Sequence, residues 1–105
     1  MTIAIYAGTF DPFTLGHEDV LQRARQIFDK VIVAVAADTG KKTFFTYEER
    51  VHLAQSVLEG TDGVEVIGFE GLLSEFVRKS GATVLIRGVR NGSDFDYETR
   101  MACVN

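Results

Sequence analysis

Hydrophobic residues occur along this chain in short runs that alternate with longer amphipathic stretches. The short runs are bounded by glycine or polar residues and predict strands; they cover residues 3–7, 31–37, 64–67 and 83–86. Apolar residues at helical spacing predict helices within residues 18–28, 47–58 and 72–77. Ser93 is expected to cap a last helix that runs towards Asn105. This order of strands and helices is typical of a parallel sheet with right-handed crossovers.

The composition of each predicted strand indicates its place in the sheet. Residues 31–37 are apolar and rich in β-branched side chains, as expected of a strand that is covered on both faces. Glu65 indicates an edge position for the third strand. The fourth strand is fully apolar, and no further strand is expected after it to cover its outer edge. We therefore expect an α/β, Rossmann-like, doubly wound parallel sheet of four strands. The single domain, residues 1–105, is expected to be incomplete at its C-terminal end or to have this edge covered by another subunit.

Composition and charge exclude several classes of protein. A hydrophobic content of 46% with 25% charged residues is that of an ordinary globular domain. The formal net charge of −4 argues against a broad basic face that binds nucleic acid. A single cysteine, Cys103, excludes an intramolecular disulfide, and no cysteine or histidine cluster has zinc spacing. No apolar run approaches the roughly 20 residues of a membrane span, so the cytoplasm is the expected location.

The candidate chemistry begins in the stretch Gly8-Thr9-Phe10-Asp11-Pro12-Phe13-Thr14-Leu15-Gly16-His17, between the first strand and the first helix. A strand, a glycine-containing loop and a helix place backbone N–H groups where a phosphate can bind. His17 adds a hydrogen-bond donor that can also carry charge. Asp11 precedes Pro12 and is interpreted as a turn-forming residue rather than a metal ligand.

Polar residues that follow three of the predicted strands are expected to meet at one end of the sheet. Ligands of doubly wound sheets bind beyond the carboxyl ends of the strands, where the strand order reverses. The residues concerned are Thr9 and His17, Lys41 and Lys42, and Arg87 and Arg90. A group of cations in an acidic protein suits a polyphosphate such as ATP together with a second anionic substrate.

The motifs at these positions resemble those of the T/HxGH nucleotidyltransferase superfamily, and within it the phosphopantetheine adenylyltransferase family. The matching segments are residues 8–17, Lys41-Lys42, residues 45–50, residues 83–90 and residues 94–98. The resemblance runs without gaps from Ile3 to Asn105. It implies the strand order 3-2-1-4-5, with the fifth strand expected to be missing together with the C-terminal third of the family's chain.

The resemblance also implies a reaction and the residues that serve it. The family transfers the adenylyl group of ATP to 4′-phosphopantetheine, which gives dephospho-coenzyme A and pyrophosphate in coenzyme A biosynthesis. His17 would be the catalytic residue that stabilises the transition state. The acceptor would be bound by Thr9, Lys41, Leu73, Arg87 and Asn105. ATP would be bound by Thr9, Phe10, His17, Gly88, Val89, Arg90 and Glu98.

Further implications concern cofactors and partners. Mg²⁺ is expected to accompany ATP and to be held mainly by its phosphates, with no metal-ligating side chains. The family is hexameric, so a homo-oligomer is expected, with coenzyme A as a possible inhibitor and with neither nucleic acid nor membrane as a partner. Two alternatives remain open. The chain is either a non-catalytic fragment that binds a nucleotide or coenzyme A, or a nucleotidyltransferase with another phosphorylated acceptor, such as nicotinamide mononucleotide.

Overall fold

A sheet of five strands with helices on both faces forms the described part of the chain. The computed structural model describes residues 2–37, 42–87 and 96–99, with Arg87 and the last four residues described by their backbone alone. The elements are β1 (Ile3–Gly8), α1 (Leu15–Arg25), β2 (Lys30–Ala36), α2 (Tyr47–Leu58), β3 (Val64–Phe69), α3 (Leu73–Ser80), β4 (Val84–Arg87) and β5 (Asp96–Thr99).

The strand order is β3-β2-β1-β4-β5, and the first four strands in the chain are parallel. The predicted parallel sheet with order 3-2-1-4 is therefore confirmed, as is the edge position of β3. The chain moves outward from β1 to β3 and then returns to the other side of β1 for β4. This reversal places the topological switch point between β1 and β4, where ligands of such sheets bind.

Alternate residues of the central strands supply two separate hydrophobic cores. Tyr6 and Val33 face α1 and α2, whose buried residues include Leu21 and Ala54. Ile5, Ile32 and Leu85 face the opposite side, where Val77 of α3 covers them. Because β1, β2 and β4 are buried on both faces, they contain almost no polar residue, in agreement with the unbroken apolar runs of the sequence.

Side-chain caps define where the first two helices begin. Thr46 and Glu49 form the capping box that their spacing predicts, and α2 begins at Tyr47. Thr14 caps α1 in the same manner, so this helix begins at Leu15 rather than near Glu18. The third helix ends as expected, because Gly81 at its C-cap has a φ of 80°, in the left-handed region that favours glycine.

The end of the described chain differs from the sequence prediction. Residues 96–99 form β5, which is antiparallel to β4 and pairs Glu98 with Leu85. The predicted helix over this segment is therefore wrong, and so is the expectation that no strand follows β4 to cover its outer edge; the four parallel strands are as predicted. The physical reason is that the outer edge of β4 offers a row of unpaired backbone groups. Tyr97 and Thr99, whose residue types favour strands, pair with it.

Candidate active site

The carboxyl ends of β1, β2 and β4 lie side by side and form the base of the candidate site. Gly8 ends β1 and pairs with Val35, one residue before the end of β2. The backbone of Arg87 ends β4 and pairs with Ala7 of β1. Arg87 therefore adjoins the start of the loop that joins β1 to α1, which we call the β1–α1 loop (residues 9–14).

Aromatic packing fixes the shape of the β1–α1 loop. Phe10 has a φ of 51° and is only 3% exposed, so the chain turns back and buries its ring. A Cβ at Gly8 would lie 3.2 Å from Cζ of Phe10, so the ring covers a position that suits glycine. The Phe10 ring also meets Tyr6 and Phe13 with centroid separations of 5.1 and 5.3 Å. The loop thus rests on an aromatic cluster.

His17 closes this cluster and occupies the third position of α1. Its Nδ1 lies 2.9 Å from the backbone N of Thr14 and 3.0 Å from Thr14 Oγ1. The backbone N–H of His17 donates in return to Thr14 Oγ1 at 3.4 Å. The pair forms a capping box in which histidine replaces the usual glutamate or glutamine. Since Nδ1 accepts the Thr14 N–H, the proton of the neutral ring is on Nε2.

The surroundings of His17 favour its neutral form. Burial lowers the pKa of His17 from its usual value of 6.5, and the ring packs between Phe10 and Phe13 with centroid separations of 5.0 and 5.4 Å. The N–H of Thr14 acts in the same direction, because a protonated Nδ1 could no longer accept it. At neutral pH His17 is therefore an uncharged ring that offers Nε2–H as a donor. Such a group can hydrogen-bond a phosphate oxygen at the positive end of a helix.

A second segment is tied to the β1–α1 loop through Asp11. The Oδ2 of Asp11 accepts the N–H of Phe44 at 2.6 Å, and its Oδ1 accepts the N–H of Phe45 at 2.9 Å. We call residues 42–46, which lead into α2, the lysine segment. Lys42 within it is exposed. Because Asp11 contacts residues 33 and 34 positions away, the sequence pattern gave no sign of this contact.

Arg50 lies beneath both segments and is only 2% exposed. Its Nη1 donates to the carbonyls of Thr9 at 2.9 Å and Ala36 at 2.7 Å, and its Nε donates to that of Phe45 at 3.3 Å. Within the described residues, no carboxylate lies in salt-bridge range of Arg50. Sequence reasoning assigned it no role, although Arg50 falls on the same helical face as the buried Ala54 and Leu58.

The structure brings together part of the predicted site. Thr9, Phe10 and His17 lie on or beside the β1–α1 loop, and the backbone of Arg87 adjoins them. Leu73 begins α3, which follows the carboxyl end of β3, and packs, partly buried, against the core formed by Ile5, Ile32 and Leu85. Five predicted site residues lie outside the described residues: Lys41, Gly88, Val89, Arg90 and Asn105. Glu98 is placed on β5 by its backbone.

Two further observations concern metal binding and membrane spans in the described part of the chain. Within residues 2–37 and 42–87, no group of three or more histidine, cysteine, aspartate or glutamate side chains could hold a metal ion. The described helices also include none with the length and apolar character needed to cross a membrane.

Comparison with known proteins supports the assignment of the fold and the motifs. A family model described as cytidylyltransferase-like matches residues 5–105. A phosphopantetheine adenylyltransferase of Ralstonia nicotianae (strain ATCC BAA-1114 / GMI1000) is 54% identical over 105 residues, which are 100% of this chain and 62% of that protein. One from Ralstonia pickettii (strain 12J) is 55% identical over 100% of this chain and 63% of its own length. The chain thus spans less than two thirds of these curated relatives.

A solved structure shows the same arrangement of strands and helices. The lipopolysaccharide core biosynthesis protein from Thermoplasma volcanium GSS1 superimposes with a TM-score of 0.66 at 27% identity. The superposition covers 81% of this chain and 72% of that one. Together with the sequence matches, it confirms the resemblance that the motifs predict.

Proposed function

Because the chain belongs to the cytidylyltransferase-like family, we propose that it transfers the adenylyl group of ATP to 4′-phosphopantetheine. The products are dephospho-coenzyme A and pyrophosphate, a step of coenzyme A biosynthesis. Relatives that are 54% and 55% identical to the whole chain carry the name of this enzyme. The proposal extends to this chain an activity that is named for proteins longer than it.

The reaction requires positioning and charge stabilisation rather than a base. An oxygen of the 4′-phosphate forms a bond to the α-phosphorus of ATP, and the bond from that phosphorus to the bridging oxygen of pyrophosphate breaks. The electron pair leaves with pyrophosphate. Because the attacking phosphate is already an anion, no proton has to be removed from it. Catalysis therefore rests on holding the two substrates in line and on stabilising charge at the α-phosphate.

The geometry of His17 is the observation that carries this proposal. Thr14 holds Nδ1, so Nε2–H remains for a ligand, and burial keeps the ring neutral. A neutral donor can stabilise the α-phosphate oxygens in the transition state without transferring a proton to them. The N-terminus of α1 adds its partial positive charge at the same point. In this proposal His17 is the catalytic residue.

The remaining substrate contacts follow the family resemblance. Thr9, Lys41, Leu73, Arg87 and Asn105 bind 4′-phosphopantetheine. Thr9, Phe10, His17, Gly88, Val89, Arg90 and Glu98 bind ATP. Because the ring of Phe10 is buried in the aromatic cluster, Phe10 contacts the nucleotide through its backbone. Mg²⁺ would accompany ATP, neutralise phosphate charge and be held by the phosphate oxygens. Asp11 would not ligate it, because both of its carboxylate oxygens accept backbone N–H groups.

The proposal includes a location and partners for the protein. The chain acts in the cytoplasm as a homo-oligomer, which is a hexamer by family resemblance, and coenzyme A inhibits it by occupying the acceptor site. Light scattering after size-exclusion chromatography measures the oligomer mass. Competition between coenzyme A and 4′-phosphopantetheine in the assay below tests the inhibition.

Pyrophosphate release from ATP tests the proposed activity directly. The assay compares 4′-phosphopantetheine with nicotinamide mononucleotide as acceptors. It uses the 105-residue chain and an extended chain, in which this sequence is continued by the C-terminal segment of the Ralstonia pickettii relative. We expect turnover with 4′-phosphopantetheine in the extended chain, and its loss in His17→Ala. Turnover with only the other acceptor would contradict the choice of substrate. Calorimetric binding without turnover in either form would instead support a non-catalytic binding protein.

A further inference from the structure

The carboxylate of Asp11 accepts backbone hydrogen bonds beside a site that is proposed to bind phosphates. Its two carboxylate oxygens accept the N–H groups of two consecutive residues, Phe44 and Phe45. It thereby joins the β1–α1 loop to the lysine segment. Within the described residues, no other hydrogen bond joins residues 9–14 to residues 42–46.

The lysine segment is held at one residue from two sides. The N–H of Phe45 binds Asp11, and its carbonyl accepts the hydroxyl of Thr43 at 2.8 Å and Nε of Arg50 at 3.3 Å. Arg50 also binds the carbonyl of Thr9, in the β1–α1 loop. The hydrogen bonds of Asp11 to the N–H of Phe45 and of Arg50 to its carbonyl therefore fix the position of Phe45 relative to Thr9. Lys42 lies three residues before this anchored point.

Electrostatics alone disfavours a carboxylate at this place. A negative charge beside an anion site repels the ligand, and asparagine forms similar turns without a charge. Asparagine, however, has one acceptor oxygen and one donor group. It could accept one of the two N–H groups but would direct its own N–H₂ at the other. Only a carboxylate with the length of aspartate accepts both.

We propose that Asp11 is a positioning residue for anion binding, which acts by holding the lysine segment against the β1–α1 loop. Its hydrogen bonds keep Lys42 at the same strand ends as Thr9 and His17, where the phosphates bind. This inference rests on the proposed function, since it takes the bound anions to be phosphates. Asp11 touches no substrate in this account, and its effect is transmitted through Phe44 and Phe45.

The charge of Asp11 and its positioning role predict opposite effects of one substitution. Asp11→Asn removes a negative charge, so a role through charge alone would tighten the binding of an anion. A positioning role predicts weaker binding, because the lysine segment is released. Asp19→Asn is the matched control: Asp19 is an exposed residue on α1 that pairs with Arg23, so this variant makes the same change in charge without touching the lysine segment.

Two measurements on the 105-residue chain test the inference, with inorganic pyrophosphate as the probe ligand. Hydrogen exchange measured by NMR should show the amides of Phe44 and Phe45 exchanging at least about tenfold faster in Asp11→Asn than in the wild type. Amides of β1 and β2 should keep their rates. Calorimetry should show a dissociation constant for pyrophosphate that is about tenfold higher in Asp11→Asn. Asp19→Asn should bind as tightly as the wild type or slightly more tightly.

A double-mutant cycle separates positioning from a general loss of structure. Replacing Lys42 by methionine should weaken pyrophosphate binding in the wild type. It should weaken binding much less in the Asp11→Asn background, because the segment is no longer held there. Equal effects in the two backgrounds would overturn the inference. Asp11→Ser, which also favours turns, serves as a second variant. Loss of folding in both Asp11 variants would assign the residue to fold stability and would overturn the positioning role.

The outcomes distinguish this inference from the proposed function. If neither the 105-residue chain nor the extended chain binds pyrophosphate or 4′-phosphopantetheine, the proposed function fails and the inference fails with it. If the wild type binds pyrophosphate and Asp11→Asn binds it equally well or better, the inference alone is overturned.

Discussion

Replacing His17 with glutamate should separate its structural role from its catalytic role. The chain itself contains the template, because Glu49 fills the equivalent position of α2. Its Oε1 accepts the N–H of Thr46 at 2.9 Å, and Thr46 Oγ1 accepts the N–H of Glu49 at 3.1 Å. Glutamate at position 17 should therefore restore the capping box with Thr14 while removing the Nε2–H donor.

The expected change in stability is small. The ring contacts of His17 with Phe10 and Phe13 are lost, at a cost of about 0.5–1.5 kcal/mol for an aromatic pair. A carboxylate in the first turn gains about 0.3–1 kcal/mol from the helix dipole. The free energy of unfolding should thus fall by at most about 1 kcal/mol, a decrease in Tm of no more than about 4–8 °C for a domain of this size. His17→Ala loses the cap as well and should be less stable by about a further 1 kcal/mol.

The expected change in catalysis is large. Removing a donor to the transition state costs about 100- to 1,000-fold in kcat, and the added carboxylate repels the phosphates. Thermal unfolding and the pyrophosphate-release assay measure the two effects on the extended chain. His52→Glu is the control. His52 is an exposed residue of α2, so this substitution replaces a histidine by a glutamate away from the cap. A His17→Glu variant with nearly normal kcat would refute the catalytic role of His17. A variant that is unfolded would refute the prediction that glutamate restores the capping box.

Three further predictions concern stability. The pKa of His17 is lowered in the folded state, so the unfolded chain binds more protons than the folded chain below about pH 6.5. The free energy of unfolding should therefore fall as the pH drops below that value. The fall should be smaller in His17→Glu. Arg50→Met removes the side-chain donor from the carbonyls of Thr9 and Ala36 and leaves that of Phe45 with the Thr43 hydroxyl alone. It should cost about 2–4 kcal/mol in urea unfolding, whereas a loss under about 1 kcal/mol would show that these bonds contribute little. A Cβ at Gly68 would lie 2.6 Å from Cζ of Tyr47, so Gly68→Ala should lower Tm. In a Tyr47→Ala background, Gly68→Ala should lower Tm much less.

Local patterns in the sequence predicted the framework of this fold well. The buried strands were found because both faces of the sheet are covered, which leaves unbroken apolar runs. The cap of α2 was found because threonine and glutamate form a familiar pair, whereas the equivalent cap of α1 uses histidine and was missed. For β5 the prediction failed, since nothing local in residues 96–99 shows the free edge of β4 with which they pair.

The site was predicted in part, and the omissions share one cause. Thr9 and His17 belong to a contiguous motif, so their place at the end of β1 followed from the sequence. Asp11 and Arg50 act through backbone groups far away in the chain, and such contacts leave no pattern in side-chain type. Among the described residues the hydrogen bonds of Arg50 go to backbone carbonyls, and such an arginine is visible in a sequence solely through its helical phase with Ala54 and Leu58.

The protonation of the His17 ring tests the central claim most directly. Imidazole ¹⁵N chemical shifts of the 105-residue chain report which nitrogen carries the proton, with the exposed His52 as an internal reference. At pH 7 we expect His17 to be neutral, with its proton on Nε2, and we expect the Nε2 signal to shift when ATP is added. A proton on Nδ1, a charged ring, or no response of Nε2 to ATP would contradict the account.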